Sequence, residues 1–212
     1  ILEREGCAGR VCNLAFHELA VGRVARAAEK AMKAPPRRVT HVGVGRAKAE
    51  RLGSSRRYER TDGSISHDRT SATKSPVARE ADEGSIDPFV TAVGFWDGDE
   101  PVACLSHYAI HPMSYYGRGE VSADFVGMAR RARAKAMPGV AQVYLSGCGG
   151  DVTAGKYNDG DPANRPELAR RLEAAMALAW HSARPTPLES ASYRVEPLTF
   201  TPRDDEGFTE AD

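Results

Sequence analysis

His107 and His111 stand four residues apart in "SHYAIHP". On a helix that spacing lets two imidazoles share one metal ion. On a strand the two share a face but lie about 13 Å apart, at about 3.3 Å per residue, too far for one ion. The surrounding hairpin pattern favours the strand, so at most one of them is a ligand. His111, at the strand's end before Pro112, is the better placed; a hydrogen-bonded structural histidine is the alternative reading. A second stretch, "LSGCGGDVTAGKYNDGDP" (145–162), invites a phosphate loop. From Gly150 it falls one residue short of G-x-x-x-x-G-K-[ST], with Tyr157 where the magnesium-binding hydroxyl belongs. A phosphate loop also runs straight into a helix whose amides face the anion, and "NDGDPANRP" does not read as one. "GVGRAK" (43–48) lacks the third glycine of a dinucleotide fingerprint.

The same loop holds other candidates. Cys148 sits in a glycine-rich turn whose amides can activate a thiol or form an oxyanion hole; a small residue fitting a tight turn is the plainer reading. Asp151 can orient a partner or cap the loop's amides. Ser122 and Asp124 read as helix-cap chemistry. "SSRRYERTDG" (54–63) reads as solvated surface, although Arg56 or Arg57 can bind a carboxylate, phosphate or carbonyl oxygen.

These residues need elements to hold them. Residues 13–34 are alanine-rich with an apolar side and read as a helix stopped by Pro35-Pro36. "RVTHVGVG" (38–45) alternates like a strand. Residues 46–86 are polar and give little periodicity, so a long irregular excursion is expected. "DPFVTAVGFW" (87–96), "DGDE" and "PVACLSHYAI" (101–110) read as strand, turn, strand. The second is apolar enough to be central and covered on both faces. After a loop (111–121), Ser122 opens a helix with Phe125, Met128, Ala129, Ala132 and Ala136 on its stripe. "VAQVYL" (140–145) is a strand, and residues 165–180 are a helix burying Leu168, Leu172, Ala175, Met176 and Ala179. The tail from Pro185 alternates weakly and suggests a further strand. The order predicts an α/β fold, a layered mixed β-sheet with flanking helices in an incomplete domain. Its strand ends, at His111 and at Ser146, are where open α/β sheets bind ligands.

The 212 residues suit one domain, and 29 basic against 29 acidic side chains leave no net charge. Such a balance gives no reason to expect nucleic acid or an anionic membrane as partner. No apolar run approaches the roughly 18 residues of a membrane span. Cys7, Cys12, Cys104 and Cys148 form neither a C-x-x-C pair nor a zinc-finger spacing. The chain begins at Ile1 without methionine and stops at "FTEAD", which reads as an internal piece of a longer protein.

"SSRRYERTDG", "IDPFVTAVGFWDGDEPVACLSHYAIHP", "VSADFVGMARRARAKAMPGVAQVYLSGCGGDV" and "PELARRLEAAMALAW" follow one another in an order that resembles the N-terminal domain of the neutral/alkaline (non-lysosomal) ceramidase family. The resemblance covers most of residues 50–185 and is closer to bacterial ceramidase-like relatives than to true ceramidases. Residues 1–212 are then expected to be an internal fragment of one such α/β domain. The resemblance implies a zinc-dependent hydrolase of an amide bond in an N-acylated substrate, a small molecule or a lipid. His111 matches a zinc-ligand histidine at the end of a central strand. The other ligands, in a His-x-His-Ser motif upstream and a glutamate and tyrosine far downstream, are not identifiable in this sequence. Arg56 matches an arginine that contacts the substrate carbonyl, with Ser55 in place of an asparagine. Gly147 stands where the ceramidases keep a proposed catalytic serine, three residues before the glycine of "Gly-Asp-Val", and Asp151 is the aspartate of that motif. The departure at Gly147 shifts the expectation from a ceramidase to a ceramidase-like hydrolase of unknown substrate, with hydrolysis by zinc-bound water still open to it. A binding domain that kept the scaffold without catalysis is the alternative.

Overall fold

The computed structural model describes residues 13–115 and 121–201. Cys7, Cys12 and part of the loop expected at 111–121 lie outside the described residues. Asn13 accepts the Phe16 amide at 3.0 Å and opens α1 (Leu14–Lys33), which closes with Lys30 and Lys33 in its last turn, where cations suit the helix dipole. The expected helix is present, yet none of its residues is buried.

Strand β1 (His41–Lys48) starts three residues later than expected and continues through Arg46 and Lys48. Those two polar side chains point to solvent while Gly45 is buried and Ala47 half-buried, so their charge hides a strand pairing that runs to its end. The polar excursion is better organised than its sequence suggests. It contains β2 (Ser54–Ser55), β3 (Tyr58–Glu59), β4 (Ile65–Ser66) and a short helix α2 (Pro76–Glu80) capped by Ser75. Arg69 is buried beneath it, stacked 4.8 Å from the Tyr58 ring and donating to the Asp82 carbonyl at 2.8 Å.

The hairpin forms as expected from β5 (Phe89–Asp97) and β6 (Glu100–Tyr108), turning at Gly98, whose φ of +59° suits glycine. Next come α3 (Asp124–Ala136), β7 (Ala141–Ser146), β8 (Val152–Thr153), a 3-10 turn at Gly155–Tyr157, α4 (Asn164–Ser182) and β9 (Thr186–Pro187). The main sheet runs β7-β6-β5-β1-β9, antiparallel except for the parallel pair β6 and β7, which α3 connects. It is a layered mixed α/β arrangement.

Helix α4 lies across β1 and β5, α3 lies along β7, and the two helices pack together. Their shared core is Phe125, Ala129, Leu168, Leu172, Met176 and Ala179 against Val90, Ala92, Cys104 and Tyr108. All five residues expected on the buried stripe of α4 are buried. On α3 the stripe is turned: Ala132 and Ala136 are exposed, whereas Arg133 is buried. Arg133 lays its stem over the core and carries its charge to Glu173 on α4, 3.3 Å away. The expectation that β6 is covered on both faces is also corrected. Val102, Cys104, Ser106 and Tyr108 are buried, but Ala103, Leu105 and His107 are only half-buried, because both helices lie on one side.

Candidate active site

The two parallel strands β6 and β7 end side by side, and the chain beyond each end is tied to the other. The Gly147 amide donates to the Tyr108 carbonyl at 3.0 Å, and the His111 amide donates to the Val152 carbonyl at 2.8 Å. The His111 ring closes the junction, with Nδ1 2.6 Å from the Gly149 carbonyl oxygen. A carbonyl only accepts, so Nδ1 carries the proton. The neutral ring therefore presents Nε2 as its lone-pair nitrogen, the arrangement that orients a metal-binding histidine.

On its other side the loop meets β2. The Arg56 amide donates to the Asp151 carbonyl at 2.6 Å, next to the β2–β8 pairing of Ser54 with Thr153 and Ser55 with Val152. Residues 151–152 are thus clasped by Arg56 on one flank and His111 on the other. The two flanking backbones are about 10 Å apart, two inter-strand spacings. The structure brings Arg56, His111, Gly147 and Asp151 to one loop cluster. The side chains of Arg56 and Asp151 are half-buried and pair neither with each other nor with another described residue.

Gly147 is a steric requirement. A Cβ there would stand 2.3 Å from His107 Nε2 and 3.3 Å from the Ala109 Cα. A serine fits only if the His107 imidazole turns away. Gly149 is tighter still, since its Cβ would lie 2.7–2.9 Å from the backbone atoms of Ile110. The loop lies directly on the strand end, which is how its carbonyl reaches His111. The amides of Cys148, Gly150 and Asp151 donate to no acceptor among the described residues.

His107 lies on β6, paired with Thr91 and Leu145, and covers Gly147. Among the described residues no group of three or more His, Cys, Asp or Glu side chains is placed to hold a metal ion. Cys148 is an exposed thiol in the turn. The phosphate-loop string serves another end. Lys156 Nζ donates to the carbonyls of Arg79, Glu80 and Ala81, closing the end of α2. The following residues 158–163 are not helical, and α4 begins at Asn164, one residue before its expected start at 165.

Sequence reasoning missed the network under the His111 loop. Asp124, with a φ of +48°, accepts from the amides of Phe125 at 2.6 Å and Ser114 at 3.1 Å. Arg165 reaches Asp124 at 3.4 Å and the Ser114 hydroxyl at 2.9 Å, and stacks 3.9 Å from the Tyr115 ring. Buried Asn158 donates to the Ser71 and Ser114 carbonyls. Ser122 and Asp124 were expected to cap α3, but its cap position is Ala123, without a side-chain cap hydrogen bond; Arg165, 41 positions beyond Asp124, left no local signal.

No family profile matches the chain, and no curated protein matches it. Solved structures similar to it include two ceramidases. One is a ceramidase complexed with C2, 14% identical, with a TM-score of 0.47. The other is the neutral ceramidase of Pseudomonas aeruginosa, 16% identical, with a TM-score of 0.48. Each similarity covers 67% of this chain and 22% of the other, so the chain spans about a fifth of their length. Among the described residues, no helix is long and apolar enough to cross a membrane.

Proposed function

We propose that the protein is a zinc-dependent hydrolase that cleaves an amide bond in an N-acylated substrate, lipid amides included. The observation that supports this most directly is the His111 ring, fixed through Nδ1 by the Gly149 carbonyl with Nε2 left to bind. His111 would be one ligand, and the remaining donors would lie outside the described residues. Zinc, when bound, supplies a Lewis acid and a water of lowered pKa. The chain's own residues do the rest. The Arg56 guanidinium binds the substrate carbonyl oxygen and stabilises the charge that develops on it. The unengaged amides of Cys148 and Gly150 add donors to the same oxygen. Asp151 orients the attacked group beside them. Gly147 contributes no side chain, and with His107 above it the site has no serine nucleophile there.

The second reading is a binding domain on the same scaffold. It is favoured by the lack of a three-donor group among the described residues. Metal content of the full-length protein, wild type against His111→Ala, separates the two. The proposal expects zinc in the wild type and its loss in the variant. Release of free amine from an N-acyl substrate should fall at least about a hundredfold, as when a ligand-shell residue is lost. Equal zinc in both proteins removes His111 as a ligand, and a zinc-free wild type supports the binding domain.

A further inference from the structure

A cavity of about 640 Å³ lies between α2, the Gly155–Tyr157 turn and the first half of α4, and neither His111 nor residues 147–151 line it. Five of the nine residues lining it are Arg or Lys: Arg51, Lys74, Arg79, Lys156 and Arg171. Glu80 is the one carboxylate in the lining. The chain as a whole carries no net charge, so this concentration is local. It is assembled from four separate segments, because Arg51 follows β1, Lys74 and Arg79 lie just before and in the last turn of α2, Lys156 sits on the 3-10 turn, and Arg171 sits on α4.

The ion pairs present leave much of that charge unanswered. Arg171 is held by Glu167 at 2.8 Å, and one of its nitrogens donates to the Arg51 carbonyl at 2.7 Å. Arg79 meets Asp159 only at 3.8 Å, both side chains well exposed. Neither the Arg51 guanidinium nor the Lys74 amine has a hydrogen-bond or carboxylate partner among the described residues. Lys156 spends its donors on the α2 carbonyls and contributes field alone. Behind it lies the fully buried Arg69, whose Nε and one terminal nitrogen have no partner. Arg51 takes part in the wall with a φ of +54°, a left-handed backbone that few residues other than glycine and asparagine adopt.

We infer that this cavity is a binding site for a small phosphate-rich anion, carrying two or more phosphate groups. Guanidinium forks match phosphate oxygens in pairs, and spread cations suit a ligand with spread charge. The volume is in the range of small-molecule sites and far exceeds a single phosphate. The site is independent of the proposed amide hydrolysis, and binding alone reads it.

The test is calorimetric titration of the full-length protein with sodium tripolyphosphate, with inorganic phosphate for comparison. Arg51→Asn keeps a residue that tolerates the left-handed backbone, and Lys74→Ala trims an exposed side chain, so both are expected to fold; thermal unfolding checks it. Lys135→Ala, on the far end of α3, is the control. Tripolyphosphate should bind more tightly than phosphate and weaken as salt is added. Each pocket variant should lose about tenfold or more in affinity, the scale of one charge-assisted hydrogen bond, and the control none. No binding of tripolyphosphate at millimolar concentration overturns the inference. So does equal affinity in the folded double variant Arg51→Asn/Lys74→Ala, or an equal loss in Lys135→Ala.

Discussion

His111 and the two glycines across from it act as one device. Gly149 lets the loop touch the Ile110 backbone, and that contact sets the carbonyl that holds Nδ1. Gly149→Ala has no side chain to push aside and should destabilise the protein by about 1–3 kcal/mol, the usual cost of overpacking, read by denaturant unfolding. On the proposed function it should also weaken zinc binding, because the ring loses its orienting acceptor. Gly147→Ser meets chiefly the far end of an imidazole, with the Ala109 Cα at 3.3 Å, so its penalty should be smaller and should be largely relieved in the double variant with His107→Ala. Loss of stability in the double variant equal to that in Gly147→Ser would assign the strain elsewhere. The sequence displayed these residues clearly: a histidine before proline at a strand end and a glycine-rich turn after the next strand. What it hid was why Gly147 is glycine, since His107 reaches it only through the parallel pairing of β6 with β7. Arg56 and Asp151 were visible as candidates, but nothing local showed that the backbone of one hydrogen-bonds the other.

The long elements with clean periodicity were legible, and α4 is the best case. Its stripe at Leu168, Leu172, Ala175, Met176 and Ala179 is dictated by 3.6-residue spacing and is buried as read. Leu172→Ala removes a fully buried side chain from the centre of that stripe and should cost about 2–5 kcal/mol in chemical denaturation. On α3 the same reasoning failed at Arg133, because an arginine is scored as surface until a partner such as Glu173 is known. The short strands of the polar excursion were illegible for a related reason. Two-residue pairings such as β2 with β8 take their stability from distant partners rather than from local propensity. Tyr144 on β7 belongs to this level too. Burial pushes its phenol up to about 12 from the ordinary 10. Burial also raises that of the neighbouring Tyr108. A raised pKa leaves the associated stability intact below pH 10 and removes it as pH climbs towards 12. Alkaline unfolding should therefore coincide with phenolate absorbance, and Tyr144→Phe should move the midpoint to higher pH.

The molecule as a whole divides its chemistry between two places. The ends of β6 and β7 carry the proposed hydrolytic site, as open α/β sheets lead one to expect. The basic cavity sits beyond the 3-10 turn, built from the very Gly155-Lys156-Tyr157 run whose resemblance to a phosphate loop came from spacing alone. One helix stands apart from both. No residue of α1 is buried, so it draws little on the tertiary packing that supplies most helical stability in proteins. Trp96 and Trp180, by contrast, stack 4.8 Å apart where α4 meets the sheet. Two spectroscopic probes of one heating experiment should then disagree. Tryptophan fluorescence should report a single sharp transition, while far-ultraviolet circular dichroism should begin losing helical signal well below it. A chain truncated before His41 should bring the two curves together, and only that truncated chain would yield a van't Hoff enthalpy with its usual meaning.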